Sequence, residues 1–352
     1  TSTASNNTGV GQDALKANTT GINNVAVGSL ALDANTTAAN NTAVGKNSLT
    51  SNTTGAGNTG IGMNSLESNT TGGSNIAVGL GALNSNTTAD NNTAVGASAL
   101  AANTTGAHNT GIGHDALNLN TTGDQNTSVG SFSLAQSTTG EYNVAVGYNS
   151  LGANTTASSN VAVGYRSLEA NTTGASNTAV GTSALDVATT ADNNTAVGHN
   201  ALGACTTGGT NTAVGRSALE SLTDGIYGVA VGHAAMQSNT ASRNTAVGFS
   251  AMNANTTGQY NVAIGTEAMS DADIGSYNHG IGYRALRNVA SGGGSSNAIG
   301  TRALQDMTTG YGNNALGYQA GDDITTGTYN QCIGTDAGSV LTTGSQNIVI
   351  GR

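Results

Sequence analysis

The chain has 352 residues, with 52 Gly, no Pro, no Trp, two Cys, 8% charged side chains and a formal net charge of −10 at pH 7. A disordered Gly- and Asn-rich segment would carry Pro and many charges, so that class is excluded. Nine Lys and Arg without a basic stripe argue against a nucleic-acid partner, and no apolar run reaches the ~18 residues that membrane insertion needs.

From the N-terminus onward one phrase recurs. The glycine that closes each NTAVG-like stretch falls at Gly11, Gly28, Gly45, Gly62, Gly79 and Gly96 and continues in steps of 17 to Gly232. Later steps are also 17, except 16 before Gly248 and 18 before Gly300, where Ser291 to Ser295 supply the extra residue. Twenty-one units fill the chain, so a single continuous repeat domain, 1–352, is expected, more regular over 1–220 and less so over 221–352. The chain opens on Thr1 and shows no leader, so it is expected to be a mature or trimmed part of a longer product.

A unit this short cannot hold a pair of helices, and its interior lacks apolar residues at helical spacing. Each unit instead carries a short β-forming run, such as Val25-Ala26-Val27 or Thr42-Ala43-Val44, then an Ala-Leu spot, with Gly, Asn and Thr between. The pattern predicts an all-β parallel β-solenoid of about 21 coils with a 17-residue repeat. The absence of Pro fits, because every stacked strand must donate its N–H groups to the next coil. At about 4.8 Å per coil, the expected object is a rod of roughly 100 Å.

Comparison of the copies with one another predicts facing. The residue before each marker glycine, as in Val27, Val44, Ile61, Val78 and Val95, is always aliphatic and is predicted to be core. The residue two earlier, such as Val25, Thr42 or His279, shares that face by strand alternation. Between them lies a small column, Ala26, Gly60, Ala77, Ser128 and Cys332 among it, implying close approach of either the opposite wall or a neighbouring chain. The glycines Gly28, Gly45, Gly62, Gly79 and Gly96 mark turns. Four residues after each comes a second core ladder, Leu32, Leu49, Leu66, Leu83 and Leu100, which Met236, Met252 and Met269 continue.

Next come the asparagines. Asn18, Asn35, Asn52, Asn69, Asn86, Asn103 and Asn120 are predicted to point inward as an amide ladder, because later copies replace them with Ser137, Ala188, Cys205, Leu222, Ala272, Val289, Met307 and Ile324. A second column, Asn24, Asn41, Asn58, Asn75 and Asn92, is expected to close a turn by bonding to backbone. Thr19, Thr36 and Thr53 should form one outward column, but two residues on stand Gly or Ala, so this side lacks the two-column Thr array of an ice-binding face.

Groups for catalysis are scarce. His114, His199 and His233 lie in coils that are not adjacent, His108 precedes a turn, and His279 falls in a column predicted inward. The pairs Asp322/Asp323 and Asp271/Asp273 match no calcium loop, and the Gly292 to Gly294 run lacks the Lys of a phosphate loop. No catalytic, cofactor or metal site is expected, and the chain is read as a non-enzyme.

The NTAVG and NVAIG phrases, followed by Ala-Leu and then NTTG, resemble the repeats of bacteriophage tail-fibre and bacterial surface-fibre proteins that end in an autocleaving intramolecular chaperone. More distantly, they are similar to the SVAIG-type head repeats of trimeric autotransporter adhesins, whose period is shorter. The resemblance covers the whole chain. It implies a left-handed parallel β-roll and a homotrimeric rod, serving as an extracellular structural or adhesive fibre shaft at a cell surface or on a virion. The partners expected are the chain itself and a cell-surface glycan or protein receptor. The alternative is a self-assembling extracellular or biofilm-matrix filament subunit, with an ice-binding solenoid behind it.

Overall fold

A computed structural model describes residues 4–271, 273–290 and 293–352; residues 1–3, Ala272, Ser291 and Gly292 lie outside the described residues. The expected parallel β-solenoid of 17-residue coils is found, with no helix among the described residues. The fold comprises two compact units, Thr1–Ser176 and Asn177–Arg352. The first holds ten three-residue strands, from β1 (Thr8–Val10) to β10 (Val161–Val163), and the second holds eleven, from β11 (Thr178–Val180) to β21 (Ile348–Ile350).

Within each unit every strand pairs in parallel with the same strand of the next coil, so Thr42, Ala43 and Val44 lie opposite Thr59, Gly60 and Ile61. The two irregular steps do not disturb this register. Val229 opposes Thr245 across the 16-residue step, and His279 opposes Asn297 across the 18-residue step. Length changes are therefore absorbed in the turns, where no core side chain has to change face.

The coil of residues 45–61 shows how the sequence bends. Gly45 has φ +139°, and a Cβ there would sit 2.5 Å from the carbonyl oxygen of Gly62, so successive marker glycines pack backbone on backbone. Asn47 and Leu49 both adopt left-handed conformations, at φ 58° and 53°. For Leu this costs about 1–2 kcal/mol. The conformation turns the side chain fully inward, and burying a Leu returns about 1.5–3 kcal/mol, so burial wins. Backbone bonds then lock the bend: Leu49 N donates to Ser65 O at 3.0 Å in the next coil, and Asn52 N donates to Leu49 O at 3.2 Å.

The core is thin. Leu32, Leu49, Leu66, Leu83 and Leu100 are fully buried, as predicted, and face the small column of the strands. A Cβ on Gly111 would lie 3.3 Å from Leu100 Cγ, and one on Gly60 would lie 2.6 Å from Ser48 Oγ and 3.5 Å from Leu49 Cδ1. The close approach implied by the small residues is thus the opposite wall of the same coil, and no neighbouring chain reaches Ala26 or Ala43, both wholly buried.

This geometry overturns the predicted facing of the aliphatic column. Val27, Val44, Ile61, Val78 and Val95 point outward: Val44 is 36% and Ile61 40% exposed, and the other three are half-buried. A three-residue strand with one inward position must give it to its middle residue, which is Ala, Gly, Ser or Cys in every strand before β21 and Val349 in that last one. The first strand residue does share the face of the last, as alternation requires, but that face is the outer one. His279 accordingly lies exposed, not inward.

Candidate functional site

Two side-chain systems distinguish this fold, one inside and one outside. Inside, the predicted amide ladder forms. Asn52 Nδ2 donates to Asn35 Oδ1 at 3.3 Å, Asn69 to Asn52 at 2.8 Å, Asn86 to Asn69 at 2.8 Å, Asn103 to Asn86 at 3.0 Å and Asn120 to Asn103 at 2.8 Å. Asn35 reaches back to Asn18 at 3.0 Å; Asn18, in the second coil, is only half-buried.

The second asparagine column does more than close a turn. Asn41, Asn58, Asn75 and Asn92 are also fully buried. The Asn41 Oδ1 accepts from Asn58 N at 2.8 Å, and its Nδ2 donates to Gly55 O at 3.0 Å. Gly55 O also accepts from Asn52 Nδ2 at 2.9 Å, so both amide columns meet on one carbonyl per coil. The same junction recurs at Gly72 O, shared by Asn58 and Asn69 at 2.8 and 2.9 Å, and at Ala89 O, shared by Asn75 and Asn86 at 2.8 and 3.1 Å. Where Ser137 follows Asn120 the hydroxyl is too short to continue the ladder, and Asn120 Oδ1 and Ser137 Oγ stay buried without a partner.

Beyond these ladders Thr53 Oγ1 donates to Thr70 O at 3.1 Å, one of a run of coil-to-coil threonine bonds. The amides of both columns are thus bonded inside the coil rather than turned to solvent. The glycines Gly28, Gly45, Gly62, Gly79 and Gly96 share φ values of +133° to +140° and belong to the same frame.

His114 and several of the acids have local partners. His114 packs edge-on to Phe132 with ring centroids 5.2 Å apart, and its Nδ1 lies 3.2 Å from Asp115 Oδ2. Asp271 pairs with Arg287 at 2.6 Å. Burial opposes ionisation of Asp273, but the N–H groups of Thr256 and Thr257, at 2.7 and 2.8 Å, outweigh it and hold its pKa below the usual range. Burial pushes the carboxyl of Asp322 the other way, upward. Among the described residues no group of three His, Cys, Asp or Glu is placed to hold a metal ion. Among the described residues no helix is long and apolar enough to cross a membrane.

Some of the late tyrosines touch one another, and Tyr311 meets Tyr329 edge to face at 77°. Tyr260 and Tyr277 lie parallel at 3°, centroids 5.1 Å apart, and the Arg243 guanidinium sits 6.0 Å from the Tyr227 ring and 5.6 Å from that of Tyr260. These rings cover one another in part and still stay about half exposed, Tyr260 at 45% and Tyr277 at 56%.

Cys205 and Cys332 are unbonded and buried. Cys205 replaces an inward Asn, its Sγ donating to Gly208 O at 3.3 Å, and burial pushes its pKa up to about 11. Burial raises the Cys332 thiol too. Both thiols are thereby held in the protonated, unreactive form to higher pH than a free thiol. We expect a thiol-disulfide reagent to label both residues at least ~100-fold more slowly in the native protein than in denaturant; comparable rates would mean the columns do not face inward.

Outside, the strands present a surface that the sequence pattern assigned to the core. The last strand residue is Val, Ile or Leu in all twenty-one strands. The first is Thr in ten, Val or Ile in seven, and His279, Asn297, Asn314 or Gln331 in four consecutive ones. Neither column contains a charge, although the chain has nine basic and 19 acidic residues. Ile299, 45% exposed, and Leu316, 51% exposed, are among the more exposed members of the aliphatic column. There the two columns border a groove of about 260 Å³ lined by Asn297, Ile299, Asn314, Leu316, Gln331 and Ile333. No protein-family model matches the chain, and no curated protein matches it.

Proposed function

We propose that this chain is a non-enzymatic extracellular fibre shaft, and that its copies assemble side by side, as a homotrimer, through the outer face of the strands. One observation carries this reading: in each unit the last strand residue forms an uncharged aliphatic column on the surface. A face meant for water has no reason to exclude every charged side chain, and contiguous exposed apolar surface marks interaction sites. The copies share a net charge of −10, so a neutral face is also where they approach with least repulsion. A parallel copy offers the same coil spacing, which few unrelated partners would match. The resemblance to tail-fibre and adhesin repeats supports the threefold arrangement and the extracellular setting.

Sedimentation equilibrium is expected to give a multiple of the 34.3 kDa monomer. Ile112→Arg with Ile264→Arg, one on the outer face of each unit, is expected to return it to monomer while the circular dichroism stays that of a β-solenoid, since exposed positions tolerate charge but a buried interface does not. A wild-type monomer would overturn the proposal.

A second reading, ice binding, is favoured by the outer Thr-x-Val rows of strands such as Thr42–Val44 and Thr195–Val197. They supply two outward columns, one largely of Thr and one of aliphatic residues, where the Thr19 side has a single column. Thermal hysteresis by the monomeric double-arginine variant would decide for it.

A further inference from the structure

The outer face is nearly the same in every coil, and that creates a difficulty for any assembly built on it. Sliding one copy past another by a coil, about 4.8 Å, lays Val on Val and Thr on Thr or on Val, which has almost the same shape. Contacts of this kind hold copies together but barely distinguish one register from another.

One stretch breaks the repetition. In β17 (His279–Ile281), β18 (Asn297–Ile299), β19 (Asn314–Leu316) and β20 (Gln331–Ile333) the first position is neither Thr nor aliphatic. His279 Nδ1 lies 2.7 Å from Asn297 Oδ1, which accepts, and Asn297 Nδ2 donates to Asn314 Oδ1 at 2.6 Å. The three side chains form a bonded chain across the coils on the outer face, beside the aliphatic residues Ile281, Ile299 and Leu316. The strands flanking this stretch begin with Val262 and Ile348.

We infer that the His279, Asn297, Asn314 and Gln331 ladder sets the axial register between copies of this chain; the inference rests on assembly through the outer face. In register, each polar level meets its own kind, and the hydrogen-bonding capacity left over on the amides and the imidazole is met across the interface. A slip of one coil brings a polar residue against Val262 at one end and against Ile348 at the other, where the desolvated amide or imidazole finds no partner. A short polar interruption that specifies register in an otherwise apolar seam is the best attested use of buried polar groups between chains.

The test uses full-length chains in a Cys205→Asn, Cys332→Ala background, both replacements taken from the residues' own columns. Chains carrying Thr195→Cys and chains carrying Thr212→Cys, outer positions in adjacent coils of the same unit, are mixed, assembled and oxidised. Cross-links are counted by mass spectrometry. With the ladder intact, same-position links are expected to exceed links between 195 and 212 by about tenfold, equivalent to 1.4 kcal/mol. With His279→Thr, Asn297→Thr, Asn314→Thr and Gln331→Thr together, the excess is expected to fall to within about twofold, while the assembly keeps its mass. Those changes install the column's commonest residue, so the coil should fold as before. Assembled chains with no same-position preference, or with one that survives the four substitutions, would overturn the register role alone. Monomers that do not cross-link would overturn the outer-face assembly beneath it.

Discussion

Gly45→Ala is expected to destabilise its unit by about 3 kcal/mol or more, while Gly81→Ala changes stability by less than about 1 kcal/mol. The contrast follows from surroundings. At Gly45, φ is +139°, which side chains rarely adopt, and the new methyl would lie 2.5 Å from Gly62 O and 2.6 Å from Gly62 C, both backbone atoms held by the next coil. Neither can retreat without opening the stack. At Gly81, φ is +63° and no atom lies within 4 Å of the added carbon. The left-handed cost of about 1–2 kcal/mol is partly offset there by the reduced freedom of the unfolded chain, and the same column holds Asn64 and Ser98 at φ 59° and 55°. Stacked repeats need not unfold in one step, so urea unfolding should be paired with amide exchange, which for Gly45→Ala should show lost protection centred on the coils of Val44 and Ile61. Equal effects of the two substitutions would show that the coils do not stack glycine on glycine.

The second large effect concerns the amide ladder. Asn86 is fully buried, donates to Asn69 Oδ1 and Ala89 O, and accepts from Asn103 Nδ2. Asn86→Asp removes both donations and places a carboxylate oxygen against two acceptors, so a loss of about 3–5 kcal/mol at pH 7 is expected. Asn86→Leu leaves one donor and one acceptor unpaired but brings no charge, and about 1–3 kcal/mol is expected. The chain itself uses Leu222, Met307 and Ile324 in this column, all fully buried. The introduced carboxyl would have its folded-state pKa raised above the unfolded value of ~3.9, so the folded form holds the extra proton. Its penalty is therefore small below pH ~4 and grows as pH rises toward the raised folded pKa. Thermal unfolding at pH 4 and pH 7 checks both the order and the sign, and an Asp variant more stable than the Leu variant at pH 7 would place this column outside.

Much of this architecture was readable from the sequence because a repeat compares a position with itself. Substitution of Asn by Ala188, Cys205 and Leu222 revealed an inward column without any structure. The Leu49 column was equally plain, although its left-handed backbone was not, since nothing in the composition announces a Leu at φ 53°. The strand was misread for a definite reason. Period-two alternation says which residues share a face but not which face is inside, and Val44 was given the core because it is the larger and more apolar. The signal that could have corrected this was the invariant smallness of the middle position: a column that never exceeds Ala, Ser or Cys for twenty coils has a wall against it, and the Leu column supplies that wall. The polar run from His279 to Gln331 was visible as departures from Thr or Val, but its meaning depended on the face being outer.

The paired amide columns also set how the fold responds to temperature. In most domains the buried surface is chiefly hydrocarbon, and its exposure on unfolding gives a large heat-capacity increment that curves the stability sharply. Here Asn52 and Asn58 stand buried in the same coil as Leu49. Exposed apolar area adds about 0.45 and polar area subtracts about 0.26 cal/K/mol per Å², so the two contributions partly cancel within every such coil. The free energy of unfolding is then expected to curve less with temperature than that of a domain of the same size with a hydrocarbon core.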